Sequence, residues 1–256
     1  MDGRWLITGW YLLALIVTII VAKLSSVLVS NESFHGKLKW FLFVPTLSTD
    51  ASSQPQALQN QDVWKLLKRV LLFFPAIVAF YFWLPDIVSQ RQFPRFLLGY
   101  YAAIPLWLLT ETISLISQLC FLPARILVQP IHKQPWRSRT LAEFWGQRWN
   151  RLFGDWTRQV CFRPLRQMPG LGLIMAFAVS GVMHEFLVNV PLWIVFGTNL
   201  FGSMCLYFLI QALGIFVERR YLKRNAIANR FFMWATIVGP VPLVLNEGTL
   251  RIFHLI

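Results

Sequence analysis

His184 and Glu185 stand side by side inside an apolar run from Leu171 to Phe196, with Asn189 one helical turn beyond Glu185. His184 lies thirteen residues past Leu171, roughly 20 Å along an α-helix at about 1.5 Å per residue. If the run spans a membrane, both ionisable groups sit deep within it. Such groups are costly there and are functional candidates by default. A buried imidazole favours its neutral form. Ser180 and Gly181, one turn earlier, leave room beside the ring. Adjacent helical residues point about 100° apart, so Glu185 is a poor direct partner for His184. Asn189, a backbone group or a neighbouring helix is the expected partner of that carboxylate.

A second polar candidate, Asn150, lies in LAEFWGQRWNRLFGDWTRQV, from Leu141 to Val160. Leu141, Trp145, Trp149, Leu152, Trp156 and Val160 are spaced 4, 4, 3, 4 and 4 apart, which is one apolar stripe on an α-helix. Arg151, Asp155 and Arg158 fall on the other side. The pattern predicts one amphipathic helix lying in the membrane interface. Ser138 or Thr140, ahead of Glu143, suits its N-cap, and Pro164 ends it. Asn150 lies off the stripe beside Gly146 and Gly154, where little bulk obstructs an approaching group. Taken alone, an Asn there is most simply a solvated polar residue.

The elements that must position these residues follow from composition. Of 256 residues, 56% are hydrophobic and 14% charged, with mean hydropathy +0.54. No polar stretch is long enough for a soluble domain. The apolar blocks run to about 20 residues, the length a hydrocarbon core demands of a helix, and they lack the alternation of a barrel strand. The expected fold is all-α, a polytopic transmembrane bundle of about six to eight spans forming one integral membrane domain over residues 1–256. The spans read as Trp5 to Ala22, Val70 to Leu84 (extended back through Trp64), Phe96 to Leu122, Leu171 to Phe196 with a kink at Pro191, Leu200 to Val217, and Phe231 to Leu245, broken at Gly239-Pro240-Val241-Pro242. Phe34 to Leu47 is short enough to be re-entrant or interfacial, and Ser48 to Gln61 reads as a loop.

Net charge is +13. With the N-terminus outside, nineteen Lys and Arg fall on the inner side and four (Arg4, Arg91, Arg95 and Arg251) on the outer. The positive-inside rule accounts for that asymmetry, so no nucleic-acid partner is expected. Residues 123–170 become a cytoplasmic loop carrying the amphipathic helix. Its Arg137, Arg139, Arg148 and Arg151 suit phosphate oxygens, though lipid headgroups and topology explain any one of them equally well. Asn31-Glu32-Ser33 matches a glycosylation acceptor that this orientation leaves unused. Cys120, Cys161 and Cys205 form no disulfide or metal pattern, and no metal is expected. A transporter would also carry ionisable residues in a span, but with repeated halves that this chain does not show.

Phe144-Trp145 … Arg148-Trp149-Asn150, then Pro164, then Ser180-Gly181-x-Met183-His184-Glu185 resembles the membrane-bound O-acyltransferase (MBOAT) superfamily. Within it the pattern is similar to the long-chain-alcohol acyltransferases, or wax synthases, and HEFLVNVP also resembles the diacylglycerol and sterol branch. The resemblance implies an acyltransferase motif core over residues 138–246. It implies His184 and Asn150 as the catalytic pair, with Trp145, Trp149, Ser180, Glu185 and Asn189 in support. Acyl-CoA is the implied co-substrate, with no cofactor. The expected acceptor is a lipidic alcohol, foremost a fatty alcohol giving a wax ester, with diacylglycerol, a sterol or a specialised metabolite behind it. The expected setting is a bacterial inner membrane or the endoplasmic reticulum, in contact with membrane lipids.

Overall fold

The computed structural model describes residues 3–31, 33–50, 54–89, 95–222 and 225–254. Glu32, Arg91, Lys223 and Arg224 lie outside these, as do the side chains of Arg4, Phe43, Ile77, residues 80–89, Arg95 and Phe96. The chain is a helical membrane protein. Its first half comprises α1 (Gly3–Val29), α2 (Phe34–Phe43), α3 (Asn60–Ser89) and α4 (Arg95–Phe121). The second half comprises α5 (Leu141–Glu143), α6 (Arg151–Thr157), α7 (Pro169–His184), α8 (Val190–Phe196), α9 (Ser203–Tyr221), α10 (Ala226–Val238), α11 (Val241–Val244) and α12 (Glu247–Ile252). Two residue pairs make the strand pairing seen among the described residues: β1 (Gln56–Ala57) runs antiparallel to β2 (Ile126–Leu127).

Four described stretches are long and apolar enough to cross a membrane: Trp5–Val29, Leu97–Phe121, Pro169–Phe196 and Ala226–Val244. α1 shows why they suit lipid. Its buried positions Ile7, Ala14, Ala22 and Ser26 form a stripe of mostly small residues turned to the protein, while Leu12, Leu13, Ile16 and Ile20 are exposed. Small residues let helices approach, and bulky apolar ones contact acyl chains. α9 has 19 residues, and its last turn holds Glu218, Arg219 and Arg220. α2 is ten residues long, about 15 Å by helical rise and too short to span. It is tied to α1 by Lys23, whose Nζ donates to Phe41 O and Val44 O, each at 2.8 Å, a cation on a helix C-terminus.

Gly239-Pro240 marks a break, and the helix around Pro191 is irregular without being broken. Ahead of Pro191 the helix widens into a π-helical turn, Glu185–Asn189, before α8 resumes. α10 stops at Val238, and α11 begins after Pro240. The core nearest the site packs α5, α7, α9 and α10 through Leu141, Phe144, Phe177, Phe208 and Met233.

The single amphipathic helix expected over Leu141 to Val160 is not present. α5 continues as a π-helical turn, Phe144–Arg148, and stops; α6 starts afresh at Arg151 and widens again over Arg158–Phe162. Asn150 is the break, with φ 39° and ψ 62°. Nor does the apolar stripe face lipid: Leu141 is 0% and Trp156 4% exposed, packed within the protein. Trp156 Nε1 donates to Ala22 O and Ser25 Oγ of α1, each at 3.0 Å. A periodic stripe reports burial and does not say against what.

Candidate functional site

His184 closes α7, and its Nδ1 lies 2.7 Å from Ser180 O. A carbonyl oxygen only accepts, so Nδ1 carries the proton and Nε2 of the neutral ring keeps its lone pair. The ring rests on Phe208 of α9, centroids 4.6 Å apart. Ser180 thus contributes its backbone carbonyl to the imidazole. The space at Gly181 is filled by α9: a Cβ there would stand 2.9 Å from Cys205 Cα. That glycine sets the close approach of α7 and α9 and leaves no room for substrate.

Glu185 is buried and turned away from His184. Its Oε1 accepts from the N–H groups of Gly202, Met204 and Cys205 at 2.9, 2.9 and 3.1 Å. Those are the orphan donors at the start of α9, where a carboxylate is favoured. Its Oε2 accepts from Asn189 Nδ2 at 2.6 Å. Asn189 Nδ2 also reaches Leu200 O and Ser203 Oγ, and its Oδ1 accepts from Asn246 Nδ2 at 3.1 Å. Asn246 in turn caps α12. Glu185 and Asn189 therefore tie α7, α9 and α12 together behind the histidine, through the partners their positions on the helix allow.

Asn150 caps α6: its Oδ1 accepts from Phe153 N–H at 3.3 Å. That assignment orients the amide, and its Nδ2 has no hydrogen-bond partner among the described residues. A Cβ on Gly146 would meet nothing within 4 Å. His184 and Asn150 share no hydrogen bond in this structure. Aromatic rings connect them: Phe208 to Trp145 at 6.0 Å and Trp145 to Trp149 at 6.4 Å, with Trp149 next to Asn150. Trp145 is held by its Nε1 on Gln211 Oε1 at 3.2 Å, and Gln211 donates to Thr236 O.

A surface cavity of about 630 Å³ is lined by Arg137, Arg139, Glu143, Arg148 and Arg230. It gathers three of the four arginines singled out in the sequence and adds Arg230 from α10. Arg151 is not among its lining residues and donates to Gln129 Oε1 at 3.3 Å. Thr140 caps α5 by accepting from Glu143 N–H at 3.0 Å. Glu143 takes Arg148 Nε at 2.6 Å and Arg139 N–H at 2.8 Å. Burial alone would raise the Glu143 carboxyl, but the Arg139 N–H and the Arg148 guanidinium outweigh it and hold it below the usual range.

Sequence reasoning missed Gln211, Glu218, Asn246, Arg230 and His132. Glu218 is buried and accepts from the backbone N–H groups of Leu141 and Ala142, which anchors the start of α5 to α9. A signal existed for Gln211 and Glu218: with Met204, Tyr207 and Gly214 they follow one 3-4 stripe along α9. His132 sits alone in a loop and carried no signal.

Residues 128–210 match the model described as the Membrane bound O-acyl transferase family. The chain is 25% identical over 154 residues to the long-chain-alcohol O-fatty-acyltransferase of Simmondsia chinensis, covering 54% of this chain and 44% of that protein. It is 26% identical over 140 residues to the probable long-chain-alcohol O-fatty-acyltransferase 3 of Arabidopsis thaliana, covering 50% and 41%. It is 25% identical over 224 residues to diacylglycerol O-acyltransferase 1 of Corylus americana, covering 77% and 39%. The chain thus spans about two-fifths of the length of these curated relatives. The matched segment, which holds both Asn150 and His184, is thus similar to the membrane bound O-acyl transferase family.

Proposed function

We propose that this protein transfers a long-chain acyl group from acyl-CoA to a lipidic hydroxyl, a fatty alcohol first among acceptors, giving a wax ester. The observation that carries this reading is the tautomer of His184: Nδ1–H is committed to Ser180 O, leaving Nε2 as a base in a membrane-crossing helix. Nε2 takes the proton of the acceptor hydroxyl as its oxygen attacks the thioester carbonyl. The free amide nitrogen of Asn150 donates to the oxyanion as it forms. The C–S bond then breaks, the imidazolium returns the proton to the departing sulfur, and ester and free CoA result. No covalent acyl-enzyme is needed. The acyl chain and the alcohol partition into the bilayer, while the cavity of four arginines against one glutamate suits the CoA phosphates.

Diacylglycerol is the second acceptor to weigh, because a relative matched over 224 residues carries that substrate in its name. The test is an acyl-transfer assay on membranes holding wild type or His184→Ala, with labelled acyl-CoA and, separately, fatty alcohol, diacylglycerol and a sterol. Ester made by wild type and lost in the variant at equal protein level is the expected result. Equal activity in both removes His184 as the base.

A further inference from the structure

His132 is 4% exposed, in the loop after β2, and both ring nitrogens are engaged. Thr110 Oγ1 lies 2.9 Å from its Nε2 and donates its own proton to Trp107 O at 2.8 Å. A hydroxyl that has spent its proton can only accept, so Nε2 of His132 carries the hydrogen. Nδ1 is then a bare lone pair, and the backbone N–H of Asn150 donates to it at 3.1 Å. On either side the same two segments exchange backbone bonds: Lys133 N–H to Arg148 O and Arg151 N–H to Ile131 O, both 2.8 Å. Ile131 N–H donates in turn to Ser114 Oγ of α4 at 3.0 Å. Trp149 covers the imidazole, centroids 4.4 Å apart. α4 holds residues 131–133, and these hold residues 148–151, with the imidazole between them.

What needs holding is the backbone of Asn150. Its φ of 39° and ψ of 62° are left-handed, a region uncommon for any residue but glycine and tolerated best by Asn and Asp among the rest. Such a conformation persists only where its surroundings over-determine it. Here it stops the helix, turns the N–H to His132 and places the side chain over the first turn of α6, where Oδ1 meets Phe153 N–H. The direction of the free amide nitrogen follows from that placement.

We propose that His132 is a positioning residue for acyl transfer, its Nδ1 lone pair pinning the backbone of Asn150 so that the Asn150 amide is presented to the reacting carbonyl. The proposal rests on the role given above to Asn150. The pin requires neutral imidazole, and the surroundings supply it: burial and then the charge of Arg69 push the His132 pKa down to about 4.

Three substitutions separate the two ring nitrogens from the ring itself. His132→Phe fills the space beneath Trp149 without an acceptor. His132→Asn places Oδ1 where Nδ1 was. His132→Gln reaches the Nε2 position and leaves the Asn150 N–H unpaired. In detergent-purified protein, His132→Phe should lower kcat by about tenfold to a hundredfold, the effect of one buried donor left unmade. KM for acyl-CoA should stay within about twofold, since ground-state binding is untouched. His132→Asn should restore most of kcat and His132→Gln little. Hydrogen exchange at the Asn150 amide should accelerate in the Phe and Gln variants and not in the Asn variant. A ring that only packs would make Phe the mildest change and Asn and Gln alike, with losses following the amount of folded protein; that pattern overturns the proposal. If wild type transfers no acyl group, the acyltransferase reading falls and takes the catalytic half of the proposal with it. The exchange measurement still upholds or overturns the pinning of Asn150 by itself.

Discussion

Glu185 offers the sharpest separation of architecture from chemistry, because it adjoins the proposed base in sequence and yet points elsewhere. Glu185→Ala strips the acceptor from three backbone N–H groups at the start of α9, at 2.9, 2.9 and 3.1 Å, and from Asn189 Nδ2 at 2.6 Å. Asn189 Nδ2 retains Leu200 O and Ser203 Oγ, so the uncompensated loss is the three backbone donors. An unpaired buried donor costs about 1–3 kcal/mol, and since two of the three are partly solvated the low end applies, about 3–4 kcal/mol in all. At about 2–4 °C per kcal/mol for a chain of this size, the unfolding midpoint should fall by about 10 °C. Glu185→Gln keeps one oxygen for the α9 donors but turns an NH2 group toward that of Asn189. Asn189 cannot flip to relieve the clash without losing Asn246, which donates to its Oδ1 at 3.1 Å. The cost should be about 1–2 kcal/mol, roughly half the shift of the alanine variant or less. Both shifts are measured by thermal unfolding in detergent, with acyl transfer assayed on the folded fraction. The folded fraction should keep most of its activity. A midpoint within 2 °C of wild type in Glu185→Ala, with activity abolished, would refute this account and make Glu185 a direct partner of the imidazole.

Asn150→Asp keeps both the cap on Phe153 N–H and a side chain tolerant of the left-handed backbone but lacks the amide donor; kcat should drop by about a hundredfold or more while the midpoint stays put. Gly181→Ala brings a Cβ to 2.9 Å from Cys205 Cα, so α7 and α9 must part, and a loss of about 1–3 kcal/mol should appear in the same unfolding assay. Arg148→Gln and Arg230→Gln should raise KM for acyl-CoA with little change for the alcohol, and an unchanged KM would remove the cavity from the CoA site. For pH, the folded-state pKa of His132 is lowered to about 4 from the ordinary 6.5, so the unfolded chain binds the proton more readily. Its contribution is complete above about pH 6.5 and is lost as pH falls toward 4, up to about 3 kcal/mol at 1.36 per unit. The charges near the ring are Arg69 of α3, ion-paired to Glu111 of α4 at 2.6 Å, and the adjoining Lys133. Unfolding midpoints between pH 7 and 4.5 should slope more steeply in wild type than in His132→Asn, and parallel slopes would contradict the assignment.

Much of this was legible in the residues. Apolar blocks of spanning length, the break at Gly239-Pro240, and the outward angle of Glu185 from His184 are local properties of a helix, so spacing alone fixes them. The candidate pair, Asn150 and His184, came from motif and resemblance. The apolar stripe from Leu141 to Val160 misled for a physical reason. Periodicity records which positions are buried, and it cannot tell a bilayer from α1 or α9, nor see that one residue between two stripe segments adopts φ 39°. That conformation depends on His132, eighteen residues away in sequence, and on Thr110 and Ser114 of α4, and such long-range partners leave no local trace. The space at Gly181 is a similar case: the residue type announced a close approach, and only the packing of α9 decided that Cys205 would occupy it. Sequence by itself determined the long apolar helices and named the candidate residues. Tertiary structure decided which nitrogen of His184 is free, which way the Asn150 amide points and what holds it there, because each depends on a hydrogen-bond partner or neighbouring residue whose position only the fold sets.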